Sequence, residues 1–71
     1  MNGNNGNQRR IVTDRIILAA IRKHMPRATT SEIADEIGLS PQITRYRLGR
    51  LEAQGELESE TRETGNLWHE I

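Results

Sequence analysis

Polar and aromatic side chains recur at helical spacing between residues 42 and 50. Gln42, Arg45 and Tyr46 point away from the apolar side of a helix drawn at about 100° per residue. An amide or guanidinium group can pair with the edge of a nucleobase, and a guanidinium or phenol can also reach phosphate. We therefore predict a nucleic-acid-binding surface here. The outward side carries Gln42, Tyr46, Gly49 and Ala53, flanked by Arg45 on one edge and by Ile43 and Arg50 on the other.

No residue pattern typical of an enzyme occurs in the sequence. His24 and His69 lie far apart, without acidic residues at metal-ligand spacing, and the chain has no cysteine. Phosphate-binding loops, nucleophile elbows and paired catalytic carboxylates are also missing. We expect no catalysis, no metal and no cofactor.

Two capped helices joined by a short turn must position the outward surface. Thr29 and Glu32 have the spacing of a capping box, which satisfies free backbone N–H groups at a helix start. Gly38 ends this first helix, and Ser40-Pro41 begins the next as N-cap and first helical residue. The turn is too short for antiparallel helices, so the segment has the form of a helix-turn-helix. An ordinary helical corner in a small bundle is the alternative.

The second of these helices is predicted to run from Pro41 to Gln54. We expect its inner side to be core, formed by Thr44, Leu48 and Leu51.

Two residues of this helix need a separate explanation. Arg47 falls at the edge of the inner side, which predicts a structural role, with its aliphatic stem along apolar surface. Gly49 is an outward glycine inside a helix and costs about 1 kcal/mol relative to alanine. A flat patch of Gly49 and Ala53 that allows DNA or a partner helix to come close would offset that cost. The alternative is that this glycine destabilises the helix slightly and has no function.

A helix is also predicted before the motif. It starts between Gln8 and Asp14, with Thr13 as a plausible cap, and ends at Pro26. Its predicted buried stripe, at helical spacing, is Ile17, Ala20, Ile21 and Met25.

After Gly55 the apolar residues change from helical spacing to alternation. This predicts two strands joined through residues 63–66, where Gly65 and Asn66 suit a hairpin turn. Because a hairpin alone is marginal, we expect its Leu57, Leu67 and Ile71 side to pack on the helices. A short strand at residues 27–28 is predicted between the first two helices.

Three helices followed by a hairpin form the arrangement of a winged helix-turn-helix. The residues TTSEIADEIGLS at 29–40, followed by Arg45, Leu48, Arg50-Leu51-Glu52 and Gly55-Glu56-Leu57, resemble the shared core of small bacterial, archaeal or phage winged-helix transcription regulators. The resemblance covers about residues 13–71. It implies an α+β, mainly helical fold with a two-stranded antiparallel hairpin, and it implies DNA binding and transcriptional control. It implies no subfamily, operator or ligand.

Trp68 is placed like a tryptophan in the last strand of Z-form nucleic-acid-binding domains, one subfamily of this group. That subfamily also uses an Asn and a Tyr on the second helix of the motif, the recognition helix, where this chain has Arg45 and Gly49. It also has prolines before the tryptophan, which are missing here. These departures favour the broader group. We expect Trp68 to pack over the outer hairpin face, over the recognition-helix edge, or at a dimer contact.

The 71 residues carry ten basic and ten acidic side chains, so the net charge is zero. Residues 1–27 contain six basic side chains and one acidic one, whereas residues 51–71 contain six acidic and one basic. A chain polarised in this way can present a basic face while remaining neutral overall. The acidic hairpin would be repelled by a duplex, so we expect it to point away from DNA, to approach it only through its tip and Arg62, or to meet a protein.

The sequence predicts a disordered leader at residues 1–8 and a winged helix-turn-helix domain at residues 9–71. Arg9-Arg10 at the root of the leader is either part of a DNA-contacting arm or a solvated tail. With no membrane span and no signal peptide in the sequence, we expect a soluble protein of the cytoplasm and nucleoid.

We predict that the protein regulates transcription by placing the helix from Pro41 to Gln54 in the major groove of duplex DNA. The predicted DNA-binding residues are Thr30, Ser40, Gln42, Ile43, Arg45, Tyr46, Gly49, Arg50 and Arg62. A homodimer is compatible with this function, and no small-molecule ligand is expected. The alternative is a winged-helix protein-interaction module with little or no DNA binding, which the neutral charge and acidic hairpin favour.

Overall fold

The computed structural model describes residues 11–63 and 65–71. The elements follow the order α1 (Asp14–Lys23), β1 (Ala28–Thr29), α2 (Thr30–Ile37), α3 (Pro41–Ala53), β2 (Leu57–Arg62) and β3 (Gly65–Glu70). Helices followed by a hairpin confirm the predicted α+β, mainly helical, winged helix-turn-helix fold. The predicted leader at residues 1–8 and the Arg9-Arg10 pair lie outside the described residues.

Side-chain caps fix the start of each described helix. Thr13 Oγ1 accepts the Ile16 N–H at 3.3 Å, and Ser40 Oγ accepts the Ile43 N–H at 3.2 Å. The capping box is complete, since Thr29 Oγ1 accepts the Glu32 N–H at 3.0 Å and Glu32 Oε1 accepts the Thr29 N–H at 2.9 Å. These contacts satisfy first-turn N–H groups that would otherwise lack a partner, so the predicted starts are confirmed.

A left-handed glycine turns the chain from α2 into α3. Gly38 has φ of 75°, and its N–H donates to the carbonyl of Ala34 at 2.8 Å. The Leu39 N–H donates to the same carbonyl at 3.2 Å, and the half-buried Leu39 side chain packs against the core. The helix-turn-helix corner is therefore closed by local contacts, as predicted.

The sheet has three strands, in the order β1-β3-β2, and both pairings are antiparallel. The predicted two-stranded hairpin is therefore incomplete, because the short strand pairs with it through Ala28 opposite Trp68 and Thr29 opposite Leu67. That strand begins one residue later than predicted. A third strand gives the hairpin the support that two strands lack in water.

The prediction of which hairpin side faces the core was wrong. Leu57 is buried, as expected, but Trp68 is buried beside it at 2% exposure, whereas Leu67 is half-buried and Ile71 is 70% exposed. Ser59, on the same side of β2 as Leu57, pairs with Trp68, so Trp68 shares that side. Because side chains alternate along a strand, a register that differs by one residue reverses the face of every side chain.

The predicted burial of Met25 was also wrong, since this side chain is 70% exposed. Helix α1 ends at Lys23, and the His24 N–H donates to the carbonyl of Ile21 at 3.0 Å. Met25 lies beyond the last helical residue, so the helical spacing no longer places it on the inner side. The rest of that stripe, Ile17, Ala20 and Ile21, is buried as predicted.

One apolar cluster joins the helices to the sheet. Its buried members include Ile33 and Ile37 of α2, Leu48 and Leu51 of α3, and Trp68 of β3. The helix-turn-helix and the hairpin thus share one core, which fixes the position of α3 relative to the hairpin turn.

Candidate nucleic-acid interface

Helix α3 has one buried side and one open side. Thr44, Leu48 and Leu51 are buried, as the spacing predicted. The residues on the other side are exposed, and we refer to them together as the α3 outer face: Gln42, Ile43, Arg45, Tyr46, Gly49 and Arg50. The buried leucines prevent the helix from rotating this face inward.

Among the described residues, most of the basic side chains away from this face form ion pairs within the chain. Arg22 binds Glu70 through two hydrogen bonds of 2.8 and 2.7 Å, and Lys23 lies 2.8 Å from Glu36. Arg27 pairs with Glu60 at 2.9 Å. Two of these pairs, Arg22–Glu70 and Arg27–Glu60, join the basic first segment to the acidic last segment inside a single chain.

The pKa values of the paired carboxyls reflect these contacts. Hydrogen bonding from Arg22 lowers the pKa of Glu70, and hydrogen bonding from Lys23 lowers the pKa of Glu36. The backbone N–H of Thr29 lowers the pKa of Glu32 in the capping box. All three carboxyls are held in the ionised form at neutral pH.

The arginines of the α3 outer face are not used in this way. Within residues 11–63 and 65–71, neither Arg45 nor Arg50 forms a salt bridge, and Arg15 on α1 is the remaining unpaired arginine. Arg47, by contrast, donates to the Val12 carbonyl at 2.8 Å and to Asp14 Oδ1 at 3.1 Å. The predicted structural role of Arg47 is confirmed. Free positive charge on α3 is thus restricted to the outer face.

An open groove of about 620 Å³ runs beside this face, between the start of α2, the start of α3 and the start of β3. It is lined by Thr29, Thr30, Ser31, Pro41, Arg45, Gly65 and Asn66. Of the predicted site residues, it brings together Thr30 and Arg45. Ser31, Pro41 and Asn66 were not predicted; the sequence pattern assigned Asn66 only to the hairpin turn, yet it lies in β3.

Two predicted site residues already have structural partners. Thr30 Oγ1 accepts a 2.9 Å hydrogen bond from the indole Nε1 of Trp68, and Ser40 Oγ caps α3. Each hydroxyl retains lone-pair or donor capacity for a second contact. Trp68 is therefore buried and links the hairpin to the start of α2. The three positions expected for it, on the outer hairpin face, at the edge of the second motif helix or at a dimer contact, were wrong.

Two glutamates on β2, Glu58 and Glu60, have side-chain partners. Arg62 Nη2 lies 2.9 Å from Glu60 Oε2, while the other oxygen of Glu60 faces Arg27. His69 Nε2 lies 3.0 Å from Glu58 Oε1. Arg62 is exposed at the end of β2, and its charge is shared with Glu60, so it contributes less to a positive surface than Arg45 or Arg50.

Gly49 lies in open space. A Cβ atom added there would meet no atom of the described residues within 4 Å. Packing inside the chain therefore does not require glycine, and the two explanations given for it from the sequence both remain.

The described part of the chain contains no group of three or more His, Cys, Asp or Glu side chains placed to hold a metal ion. None of its helices is both long and apolar enough to cross a bilayer.

A family model described as winged helix-turn-helix DNA-binding matches residues 12–55, which is well over half of the chain. This match contains α1, β1, α2 and α3, and the structure adds the hairpin that forms the wing. Searches of curated proteins and of solved structures gave no match. On the strength of the family match and of this architecture, the chain belongs to the winged helix-turn-helix DNA-binding family.

Proposed function

We propose that this protein regulates transcription by binding a specific duplex DNA sequence with the α3 outer face in the major groove. The observation that carries this proposal is the charge pattern on α3. Arg45 and Arg50 project from it without an ion pair among the described residues, whereas Arg22, Lys23 and Arg27 are neutralised by acids of the same chain.

The polar groups of this face suit direct reading of bases. Gln42 can pair with adenine, and Arg45 with guanine or with phosphate, while Tyr46 can reach sugar or phosphate. Gln42 lies in the first turn of α3, and the start of the second motif helix is the part that contacts base edges in helix-turn-helix proteins. The groove beside Arg45 gives a DNA backbone room to pass between α3 and the start of β3.

The wing contributes little positive charge in this proposal. Glu60 is paired with Arg27 and Arg62, so its repulsion of the duplex is reduced, but Arg62 remains shared with Glu60. We therefore assign base recognition to α3 and allow the wing only a backbone contact through Arg62. In the cell, such a protein would act at the nucleoid.

Selection of bound sequences from a random duplex pool tests the proposal. We expect one preferred sequence, and a palindrome in it would also report binding as a homodimer. Affinity for that site should fall linearly with salt on logarithmic axes, with a slope of about −2 to −3 per protomer if two or three phosphates are contacted.

Arg45→Ala should weaken binding to the preferred site by roughly 1–3 kcal/mol if Arg45 contacts a base. Arg22→Ala removes the same charge from a side chain bound to Glu70 and serves as the matched control, with a much smaller effect expected. Absence of duplex binding even at low salt would instead favour the protein-interaction module, which the net charge of zero supports.

A further inference from the structure

Ile43 and Tyr46 are large apolar side chains exposed on the α3 outer face. They are 52% and 65% exposed, and they lie three residues apart, so their side chains are neighbours on the helix surface. The other exposed large hydrophobic residues of the described chain, Ile11, Met25 and Ile71, lie outside α3.

The stability of α3 does not account for isoleucine at position 43. A β-branched side chain is a weaker helix former than alanine or leucine. The contact that Ile43 makes with the Ser40 cap uses only its backbone N–H, which any residue except proline would supply. Since half of its side chain is exposed, Ile43 also adds little to the core.

The residues around Ile43 indicate what kind of binding partner covers its side chain. Gln42, Arg45 and Arg50 on the same face are polar or cationic, which suits a partner that combines negative charge with hydrogen-bonding edges. The major groove of DNA has these properties, and the C5-methyl group of thymine is its apolar feature. Ile43 is also the third residue of α3, within the turn that approaches base edges in helix-turn-helix proteins.

We infer that Ile43, with Tyr46 beside it, reads the 5-methyl group of thymine in the major groove. This inference rests on the proposed function and deepens it, because it names the chemical feature that the apolar part of the α3 outer face selects. The preferred site should then contain at least one thymine that is recognised through its methyl group.

Replacing the thymines of the selected duplex one at a time by deoxyuridine removes a single methyl group and leaves base pairing intact. At one or two positions we expect affinity to fall about threefold to fivefold, the loss that corresponds to one buried methyl group. Fluorescence anisotropy with the full chain and labelled duplexes measures this ratio.

The variant Ile43→Ala should bind the thymine and uracil duplexes equally at that position. Ile43→Val keeps most of the apolar surface and should retain the difference in affinity between the thymine and uracil duplexes. Met25→Ala, a change at an exposed apolar residue outside α3, is the matched control and should also retain it.

Equal affinity for thymine and uracil at every position, with duplex binding otherwise intact, would overturn the methyl inference and leave the proposed function standing. A thymine preference that survives in Ile43→Ala would overturn it too, by assigning the methyl contact to another residue. If the parent protein binds no duplex DNA at all, both the proposed function and the methyl inference are overturned.

Discussion

Trp68 and Thr30 are joined by a 2.9 Å hydrogen bond from the indole N–H to the threonine hydroxyl. The bond spans 38 residues and connects β3 of the wing to the first residue of α2. Because the indole is buried, its N–H has little access to water, and because Thr30 lines the groove, the bond holds one wall of that groove in place.

Replacing Thr30 by valine should lower the free energy of unfolding by about 1–3 kcal/mol. Valine has nearly the shape of threonine but leaves the Trp68 N–H without its partner. Urea denaturation followed by tryptophan fluorescence measures the change. Thr30→Ser keeps the hydroxyl and should lose much less; equal losses for the two variants would show that the hydrogen bond is not the cause.

Arg47 and Arg45 are expected to give opposite results in stability and binding. Arg47→Met removes two hydrogen bonds to Val12 and Asp14 but keeps an aliphatic stem, and it should cost about 1–2 kcal/mol of stability, since the guanidinium is only partly exposed.

Arg45→Ala, at an exposed position without an ion pair in the described chain, should leave stability within about 0.5 kcal/mol of the parent. Thermal unfolding and duplex titration of both variants check this expectation. A clear loss of stability in Arg45→Ala would contradict the assignment of Arg45 to the surface.

Gly49→Ala should stabilise the protein by about 0.5–1 kcal/mol, because alanine loses less backbone entropy in a helix and the added methyl group meets open space. Thermal unfolding measures the gain. If DNA approaches Gly49 closely, the same variant should bind the preferred duplex more weakly; unchanged affinity would favour the alternative, that this glycine has no function.

Thr44 is a buried threonine whose hydroxyl has no hydrogen-bond partner among the described residues. Thr44→Val replaces that hydroxyl with a methyl group of similar size, so we expect a gain of about 1–2 kcal/mol. Denaturant unfolding tests this, with Thr13→Val at the α1 cap as a comparison that should instead be destabilising. A loss of stability in Thr44→Val would indicate that the hydroxyl does have a partner.

Stability should decrease as the pH falls below about 4.5, the ordinary pKa of a glutamate carboxyl. The pKa values of Glu32, Glu36 and Glu70 are lower in the folded protein than in the unfolded chain. These carboxyls therefore stabilise the fold fully at a pH above their unfolded-state pKa, and this stabilisation is lost as the pH falls through their folded-state pKa. Urea midpoints measured from pH 6 to pH 3 report the decrease. Glu70→Gln removes the Arg22 partner and should make the decrease smaller; an identical pH profile in that variant would exclude the Arg22–Glu70 pair as a source.

The sequence alone determined the helices, their caps and the two sides of α3. These features depend on residues three or four positions apart, such as Thr29 with Glu32 or Leu48 with Leu51, so each pattern contains its own partner. For the same reason the outward placement of Gln42, Arg45 and Tyr46 was predictable, although their role in binding DNA remains a proposal.

Only the tertiary structure decided the strand register, the inward position of Trp68 and the distribution of free charge. A register that differs by one residue turns every side chain of a strand to the other face. The residues near Trp68 in the sequence do not fix this register, which is set by the pairing of Trp68 with Ala28 and Ser59. Likewise, Arg22 and Glu70 are 48 residues apart, and the fold alone brings them together. Pairs of this kind neutralise Arg22 and Arg27, whereas Arg45 and Arg50 on α3 have no ion pair among the described residues. The sequence could not show this difference, because no local pattern records which distant charges will meet.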